Sequence, residues 1–518
     1  MNQYLKNKWF VSLIAGILLG LSFPPMNLSF LSFPAFILFF HLADQCKTGK
    51  QLALYSYAGF LFWNLITTYW LMMASIPAGI AANLANAVLM TIPLVLMRFF
   101  QTKFKSKLGI ALLQASAWIS YEFLHHNWDL AWPWLTIGNA WAKHVSLIQY
   151  ISFTGHLGIS FWVIFTSAIG YQAIRSTEKK YTYYASISLI LLPCLSLLNF
   201  YIDTPSDIAD ESIAVTVIQP NHDSYQNYGG MSGTREVIDS LMSISRTSIT
   251  EKTQLIVWPE NSIDSALRMD SRHTYRIADS ARNWNTHFII GSGLYTIYED
   301  DVPISYRYSV RSKKAYNIFN STLYVNSDGN LDRYDKANLV PIVERIPFLD
   351  FLVLIDIFNI IDWSSLAFYG KGNTANMLET ETFTTPGLIC YDSIYPSWIR
   401  KFVNNGAGFL TIITNDGWWG NSSGHRQHFE YARLRSIEFN RWIVRSANNG
   451  TSGIIRPDGT VQQKTKYWTR TGFNSEIPII TQQTFYAKFG DWLSYLCLGI
   501  TIICWVPFLR TSRRVLSR

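Results

Sequence analysis

The sequence predicts a membrane α-helical bundle of about eight transmembrane helices carrying one large outward α/β domain. Three observations predict it. Up to Ile202 the chain is a series of apolar spans with few charges, each near the roughly 20 residues that cross a hydrocarbon core as a helix. Lys and Arg collect in alternate loops only, which orients a bundle across a bilayer. From Ile213 the pattern changes to short β-rich runs alternating with polar helices, the mark of a layered α/β domain.

The apolar spans run over residues 8–23, 28–43, 52–75, 79–100, 108–125, 145–174 and 183–202, and another at 492–509 closes the chain. The first span continues into others and reads as an anchor, not a cleaved signal peptide. Lys6 and Lys8 precede it; Lys47 and Lys50 follow the second. Arg98, Lys103, Lys105 and Lys107 follow the fourth, Arg175, Lys179 and Lys180 the sixth, and Arg510, Arg513, Arg514 and Arg518 the last. The intervening loops 23–27, 75–79 and 125–144 hold only Lys143. By the positive-inside rule both termini are cytoplasmic, and an odd count of spans before residue 203 places 203–490 on the far side. The expected domains are therefore a helical bundle over 1–202, an outward domain over 203–490, and a closing helix with a basic tail over 491–518. The net charge of +8 is accounted for by these basic loops and calls for no nucleic-acid partner. The loop after the fifth span carries Trp128, Trp132, Trp134 and Trp141, which reads either as a headgroup-level aromatic belt or as a specific lipid contact.

In the outward domain, 213–219, 254–258, 288–291 and 409–414 read as buried strands, and 234–248 and 424–440 carry helical periodicity,. Residues 317–325 and 328–334 form a hairpin that turns near Asp328-Gly329,. The apolar segment 348–363 is too polar to span a bilayer; it suits an arm lying on the bilayer or a core helix equally.

Of five cysteines, only Cys390 lies between 203 and 490. It stands in the apolar run Pro386-Gly387-Leu388-Ile389-Cys390-Tyr391-Asp392, which reads as a buried strand with the thiol at its carboxyl end. A lone thiol facing an oxidising compartment is a liability unless its chemistry is used. Upstream, Trp258-Pro259-Glu260 places a carboxylate at a strand end, where partial burial would raise its pKa and improve it as a base. Tyr334-Asp335-Lys336 supplies a cation suited to a developing oxyanion,. A nucleophile, a base and a cation are the parts of acyl transfer through a thioester. Taken singly, each has a plainer reading: a packed cysteine, a helix cap, a solvated lysine. His273, His287, His425 and His428 do not form a metal-ligand pattern with acidic or thiol partners, so neither metal nor cofactor is expected.

The order Glu…Lys…Cys in these contexts resembles the nitrilase, or carbon–nitrogen hydrolase, superfamily. Within it the match is to the membrane-bound apolipoprotein N-acyltransferase family. The runs that carry it are Tyr334-Asp335-Lys336-Ala337-Asn338-Leu339-Val340-Pro341, Glu344 before Pro347, Thr414-Asn415-Asp416-Gly417-Trp418-Trp419-Gly420 and Arg445-Ser446-Ala447-Asn448-Asn449-Gly450. The resemblance implies a nitrilase-like αββα sandwich, with Glu260 as general base, Lys336 as oxyanion stabiliser and Cys390 as nucleophile. It further implies that Glu344 orients the lysine and that Tyr391 gives a backbone N–H to the oxyanion. Asn320 matches a polar position of the family or simply makes a hairpin hydrogen bond. Asp392 stands where the family commonly has Glu, Val343 where Gly is usual, and Tyr228 where Trp is frequent. Trp418 and Trp419 either line an apolar channel to the thiol or pack under their loop.

The activity implied is transfer of an acyl chain from a phospholipid, phosphatidylethanolamine in the first instance, to the α-amine of the S-diacylglyceryl cysteine of apolipoproteins. The setting implied is the bacterial inner membrane, with the catalytic domain facing the periplasm. Holding lipid substrates at the bilayer avoids extracting acyl chains at about 0.8 kcal/mol per CH₂. The alternative is a membrane-anchored nitrilase-type amidase or hydrolase, which would use the same thioester with water as acceptor.

Overall fold

The computed structural model describes residues 3–202, 211–356, 360–366 and 368–516. The domain junction at 203, residues 357–359 of the apolar segment and Arg518 lie outside the described residues. The chain divides into two compact units. One gathers Met1–Thr204, Arg426–Glu438 and Thr484–Arg518; the other gathers Pro205–His425 and Phe439–Gln483.

The first unit is helical. Its main helices are Lys8–Ser22, Ser32–Gln45, Gly49–Thr68, Ile76–Lys103, Lys107–His125, Leu157–Arg175, Lys179–Ile202 and Trp492–Leu516. Side-chain caps start several of them: Asn7 accepts from Trp9 and Phe10 N–H, Thr48 from Gln51, and Ser106 from Gly109, satisfying donors that have no partner within a helix. Gly16 and Gly59 let two of these helices approach until a Cβ on Gly16 would collide with the Gly59 backbone, a contact open only to small residues.

Among the described residues, three helices are long and apolar enough to cross a membrane: Ile76–Lys103, Leu157–Arg175 and Lys179–Ile202. Lys8–Ser22 and Trp492–Val506 are apolar but shorter. Helices stand at most of the places expected for about eight spans, but three of them have the length and composition required, so the expected count is not reached by these criteria. The remainder fall short for local reasons. Ser32–Gln45 is brief, and Lys107–His125 carries Gln114 and Glu122. The segment 145–174, read as one span, is broken: a short helix, Ile151–Thr154, ends at Gly155 with φ 68° before Leu157–Arg175 begins. A side chain at Gly155 would run into the Tyr486 ring. The Gln427 amide ties the unit together. Its oxygen accepts from Trp70 Nε1 and Trp134 Nε1 at 3.1 and 2.8 Å, and its nitrogen donates to Pro24 and Thr67 carbonyls at 2.8 and 3.0 Å.

The second unit is built on two sheets. In the larger, Thr471–Pro478, Ser212–Gln219, Thr253–Val257, His287–Tyr298, Lys314–Val325 and Arg307–Ser309 follow in spatial order, with Ile263–Leu267 and Leu331–Asp335 paired to the side. The smaller runs Gly387–Ile389, Leu410–Thr414, Ile443–Ala447, Gly453–Ile455 and Val461–Lys464. Helices Thr234–Ser248 and Arg272–Trp284 bury Val237, Leu241, Ile277 and Ala281 in one apolar cluster with Ile256, Trp258 and Ile290 of the larger sheet. The two sheets are tied where Thr322 Oγ1 donates to the Gly387 carbonyl at 2.7 Å and Gly387 N–H donates to Tyr324 OH at 2.9 Å. Two sheets with helices packed on them make this the layered α/β domain that the sequence predicts. The hairpin is present, its turn made by Gly329 at φ 80°. The apolar segment forms a helix, Leu349–Ile355, on which Phe351, Leu354 and Ile355 are exposed, so it is not a core helix.

Candidate active site

Parallel strands converge on the site at their carboxyl ends. Gly387–Ile389 pairs with Leu410–Thr414 so that Ile389 lies opposite Ile413. The strand then stops at Ile389, one residue before the thiol, because Cys390 adopts φ 46° and opens a 3₁₀ turn, Cys390–Ile394. A left-handed backbone costs a non-glycine residue about 1–2 kcal/mol; here it lifts the thiol off the strand axis. Ser393 Oγ braces the turn by donating to the Cys390 carbonyl at 2.6 Å.

Glu260 leaves the neighbouring sheet just after Thr253–Val257. Gly291 lies beneath it, and any Cβ there would collide with Glu260 Cα and the Pro259 carbonyl. Lys336 follows Leu331–Asp335, its N–H donating to the Asn320 carbonyl at 2.9 Å. Both side chains are buried, at 4 % and 1 % exposure. Lys336 Nζ stands 3.3 Å from Glu260 Oε1 and 2.9 Å from Glu344 Oε1. Asn320 Nδ2 donates to the same two oxygens at 2.9 and 3.1 Å. The remaining carboxylate oxygens are also held: Asn415 N–H donates to Glu260 Oε2 at 2.9 Å, and Val340 N–H to Glu344 Oε2 at 2.7 Å. Two carboxylates thus share one ammonium and one amide, a buried network in which nearly every polar atom is paired. Among the described residues, the Asn320 side-chain oxygen alone of these atoms has no partner.

The electrostatics follow from this packing. Burial by itself would lower the Lys336 pKa, but the Glu344 and Glu260 charges outweigh it and hold the group well above its usual value. Burial pushes the Cys390 thiol well up, Glu260 adds to the rise, and Lys336 opposes it. Both shifts run the same way, toward an ammonium and a protonated thiol. A thiol in that state needs a base to become a nucleophile.

The other expected residues are placed as follows. Asp392 is buried and accepts from Tyr334 OH at 2.7 Å and from Asn338 N and Nδ2 at 2.8 and 2.9 Å. Burial raises its pKa to about 6, against the pull of Lys336 and these donors. Tyr391 packs edge-on against Tyr395. Trp418 is 39 % exposed, and its carbonyl accepts from Tyr225 OH at 2.9 Å. Tyr228, at φ 54°, donates its N–H to Asp264 at 3.0 Å. Tyr228 and Trp418 line one cavity with His222, Asp264 and Asn415. That cavity reaches the neighbours of Glu260, and its walls include neither Cys390 nor Trp419. Sequence reasoning missed the Asn415 N–H on Glu260 and the Asn338 clasp on Asp392. Both residues stand in runs already singled out, but a backbone donor leaves no mark in residue type.

Two family descriptions match. The apolipoprotein N-acyltransferase N-terminal domain matches residues 15–169 and the carbon–nitrogen hydrolase family residues 214–483. An apolipoprotein N-acyltransferase of Chlorobaculum tepidum is 27 % identical over 526 residues, covering 96 % of both chains. One of Geobacter metallireducens is 26 % identical over 524 residues, covering 98 % of this chain and 96 % of that one. A solved carbon–nitrogen hydrolase of Helicobacter pylori aligns with a TM-score of 0.37 at 14 % identity, over 58 % of this chain and 95 % of that one. With the hydrolase match extending over more than half its length, this chain belongs to the carbon–nitrogen hydrolase family.

Proposed function

We propose that the protein is an apolipoprotein N-acyltransferase working through a Cys390 thioester. The observation that carries this is the buried Glu260–Lys336–Glu344 network set beside a thiol at a strained strand end. Full-length similarity to proteins bearing that name supports it.

Glu260 removes the thiol proton as Sγ attacks the carbonyl carbon of a phospholipid ester. The C–S bond forms, and Lys336 and the Tyr391 N–H meet the oxyanion. Collapse breaks the ester C–O bond, and the proton from Glu260 goes to the departing lysophospholipid oxygen. In the second half, the uncharged α-amine of a diacylated lipoprotein attacks the thioester and Glu260 accepts its proton. The C–N bond forms, the C–S bond breaks, and the proton returns to sulfur. Glu344 keeps the ammonium aimed. Asp392 and Asn320 support the turn and the base, and Trp418, Trp419 and Tyr228 serve the approach of substrate. Phosphatidylethanolamine is the proposed donor, and the proposed setting is the bacterial inner membrane. The chain would cross about eight times, with both termini cytoplasmic and 203–490 in the periplasm.

The test is intact-mass spectrometry. Phospholipid alone should leave the enzyme heavier by one acyl chain, labile to hydroxylamine and absent in Cys390→Ala. A diacylated lipopeptide with a free amine should discharge it, and its N-acetylated form should not. Decay at one rate with and without amine would replace the transferase reading by a hydrolase.

A further inference from the structure

The strand register that places Ile389 opposite Ile413 also brings the next residues, Cys390 and Thr414, to adjacent strand ends. There the Thr414 hydroxyl is within hydrogen-bonding reach of the Cys390 sulfur. That hydroxyl is already committed: it donates to Asp416 Oδ1 at 2.8 Å. The second oxygen, Asp416 Oδ2, accepts from Arg445 Nη2 at 2.9 Å in an ion pair whose two side chains are fully buried. Gly450 packs against the same carboxylate, where a Cβ would collide with Oδ2. A buried ion pair is costly to assemble, and this one ends on a hydroxyl beside the thiol.

We infer that Thr414 is a further working residue of this site: its hydroxyl, aligned by the Asp416–Arg445 pair, accepts from the resting thiol and turns to donate to sulfur when the thiolate forms. The inference rests on Cys390 being the nucleophile. A hydroxyl carries one hydrogen and two lone pairs, so it cannot donate to Asp416 and to sulfur at once. In the resting state S–H points to Thr414 Oγ1 and O–H to Asp416. For attack the S–H turns from Thr414 to Glu260, which takes its proton, while the Thr414 hydrogen stays on its own oxygen and swings from Asp416 to Sγ. The bond to a thiolate is charge-assisted and stronger than the weak S–H bond it replaces, so the hydroxyl favours ionisation. Asp416 is a positioning residue that competes for the same hydrogen.

The test reads the thiol without needing acyl transfer: the pH profile of iodoacetamide alkylation, followed by mass spectrometry on the Cys390 peptide of the full-length enzyme. Glu260, Lys336 and Asp416 act on this sulfur through their charges, the titratable Tyr391 also couples to it, and the Thr414 variants leave all four in place. Thr414→Val and Thr414→Ala should move the profile to higher pH and slow alkylation at neutral pH by about tenfold, the worth of one charge-assisted bond. Thr414→Ser should restore it. Asp416→Asn should move the profile the other way, because it removes a nearby negative charge and weakens the competing acceptor. A purely structural role would slow every variant alike. Where Asp416→Asn fails to fold, the Thr414 series decides alone. Wild-type profiles in both Thr414→Val and Thr414→Ala would overturn the inference. Acyl transfer surviving in Cys390→Ala would instead overturn the nucleophile assignment on which it rests.

Discussion

Lys336 Nζ lies 2.9 Å from Glu344 Oε1, nearer than the 3.3 Å that separates it from Glu260 Oε1. The ammonium is therefore anchored on the carboxylate that is not the proposed base, which leaves Glu260 free to take a proton without losing the cation's position. Lys336→Ala should raise the barrier to thioester formation by about 3–4 kcal/mol, as loss of an oxyanion donor does. Lys336→Arg should rescue poorly, since a planar fork does not replace a compact charge in a closed site. Glu344→Gln should slow the same step while Glu260 stays in place. Single-turnover acylation from phospholipid measures all three; equal rates in Glu344→Gln and the parent would remove Glu344 from the mechanism.

Glu260→Gln should be slow at neutral pH and recover as pH rises. The thiol is held well above its usual value by burial first and by Glu260 second. Without a base, attack depends on thiolate already present, and that fraction grows about tenfold per pH unit below the thiol's own pKa. Removing the Glu260 charge also lowers that pKa, so the recovery should begin earlier than in a free buried thiol. The parent should be much flatter over the same range. Parallel pH–rate profiles for the two enzymes would show that Glu260 does not act as the base.

Much of this arrangement was legible in residue types. Alternation and periodicity marked the strands around 213–219 and 409–414 and the helix at 234–248, and the strand-end positions of Glu260, Lys336 and Cys390 could be read from apolar runs that end in polar residues. What was hidden is backbone geometry and tertiary closure. Cys390 is not a glycine, so its left-handed φ has no sequence signature, and the end of the strand at Ile389 rather than at the thiol is invisible in residue types. The break at Gly155 was masked by apolar residues on both sides. The donors Asn415 N–H and Val340 N–H belong to the main chain and reach their carboxylates only through folding. Within the Thr414–Asp416–Arg445 chain, Asp416 and Arg445 are 29 positions apart, a distance over which local patterns say nothing.

Gly291→Ala should disable the enzyme although it touches no reacting atom. The added methyl would collide with Glu260 Cα and the Pro259 carbonyl, and these are backbone atoms that cannot rotate aside. Overpacking of this kind costs about 1–3 kcal/mol, within reach of a folded domain, so the damage should appear as displaced chemistry before lost structure. Acylation should fall at least tenfold, the scale expected for a sub-ångström misplacement of a general base, with only a modest fall in melting temperature. Full activity in Gly291→Ala would mean that the placement of Glu260 is not critical.

The membrane arrangement has its own test. Lys and Arg gather beside alternate apolar segments, at 6–8, 47–50, 98–107, 175–180 and 510–518, and basic loops are retained on the cytoplasmic side. Among the described residues, three helices have the length and composition to cross by themselves, and the proposed count rests on the shorter apolar helices crossing beside them. A reporter active only in the cytoplasm should be active when fused after Arg518 and inactive when inserted near Gly329, at the hairpin turn. Single cysteines placed at Lys50 and at Lys105, in a background lacking the natural ones, should be shielded from an impermeant thiol reagent in intact spheroplasts. One at Gly329 should react. Activity of the reporter at Gly329, with silence after Arg518, would invert the orientation and remove the catalytic domain from the periplasm, where a lipoprotein's free α-amine would have to meet it.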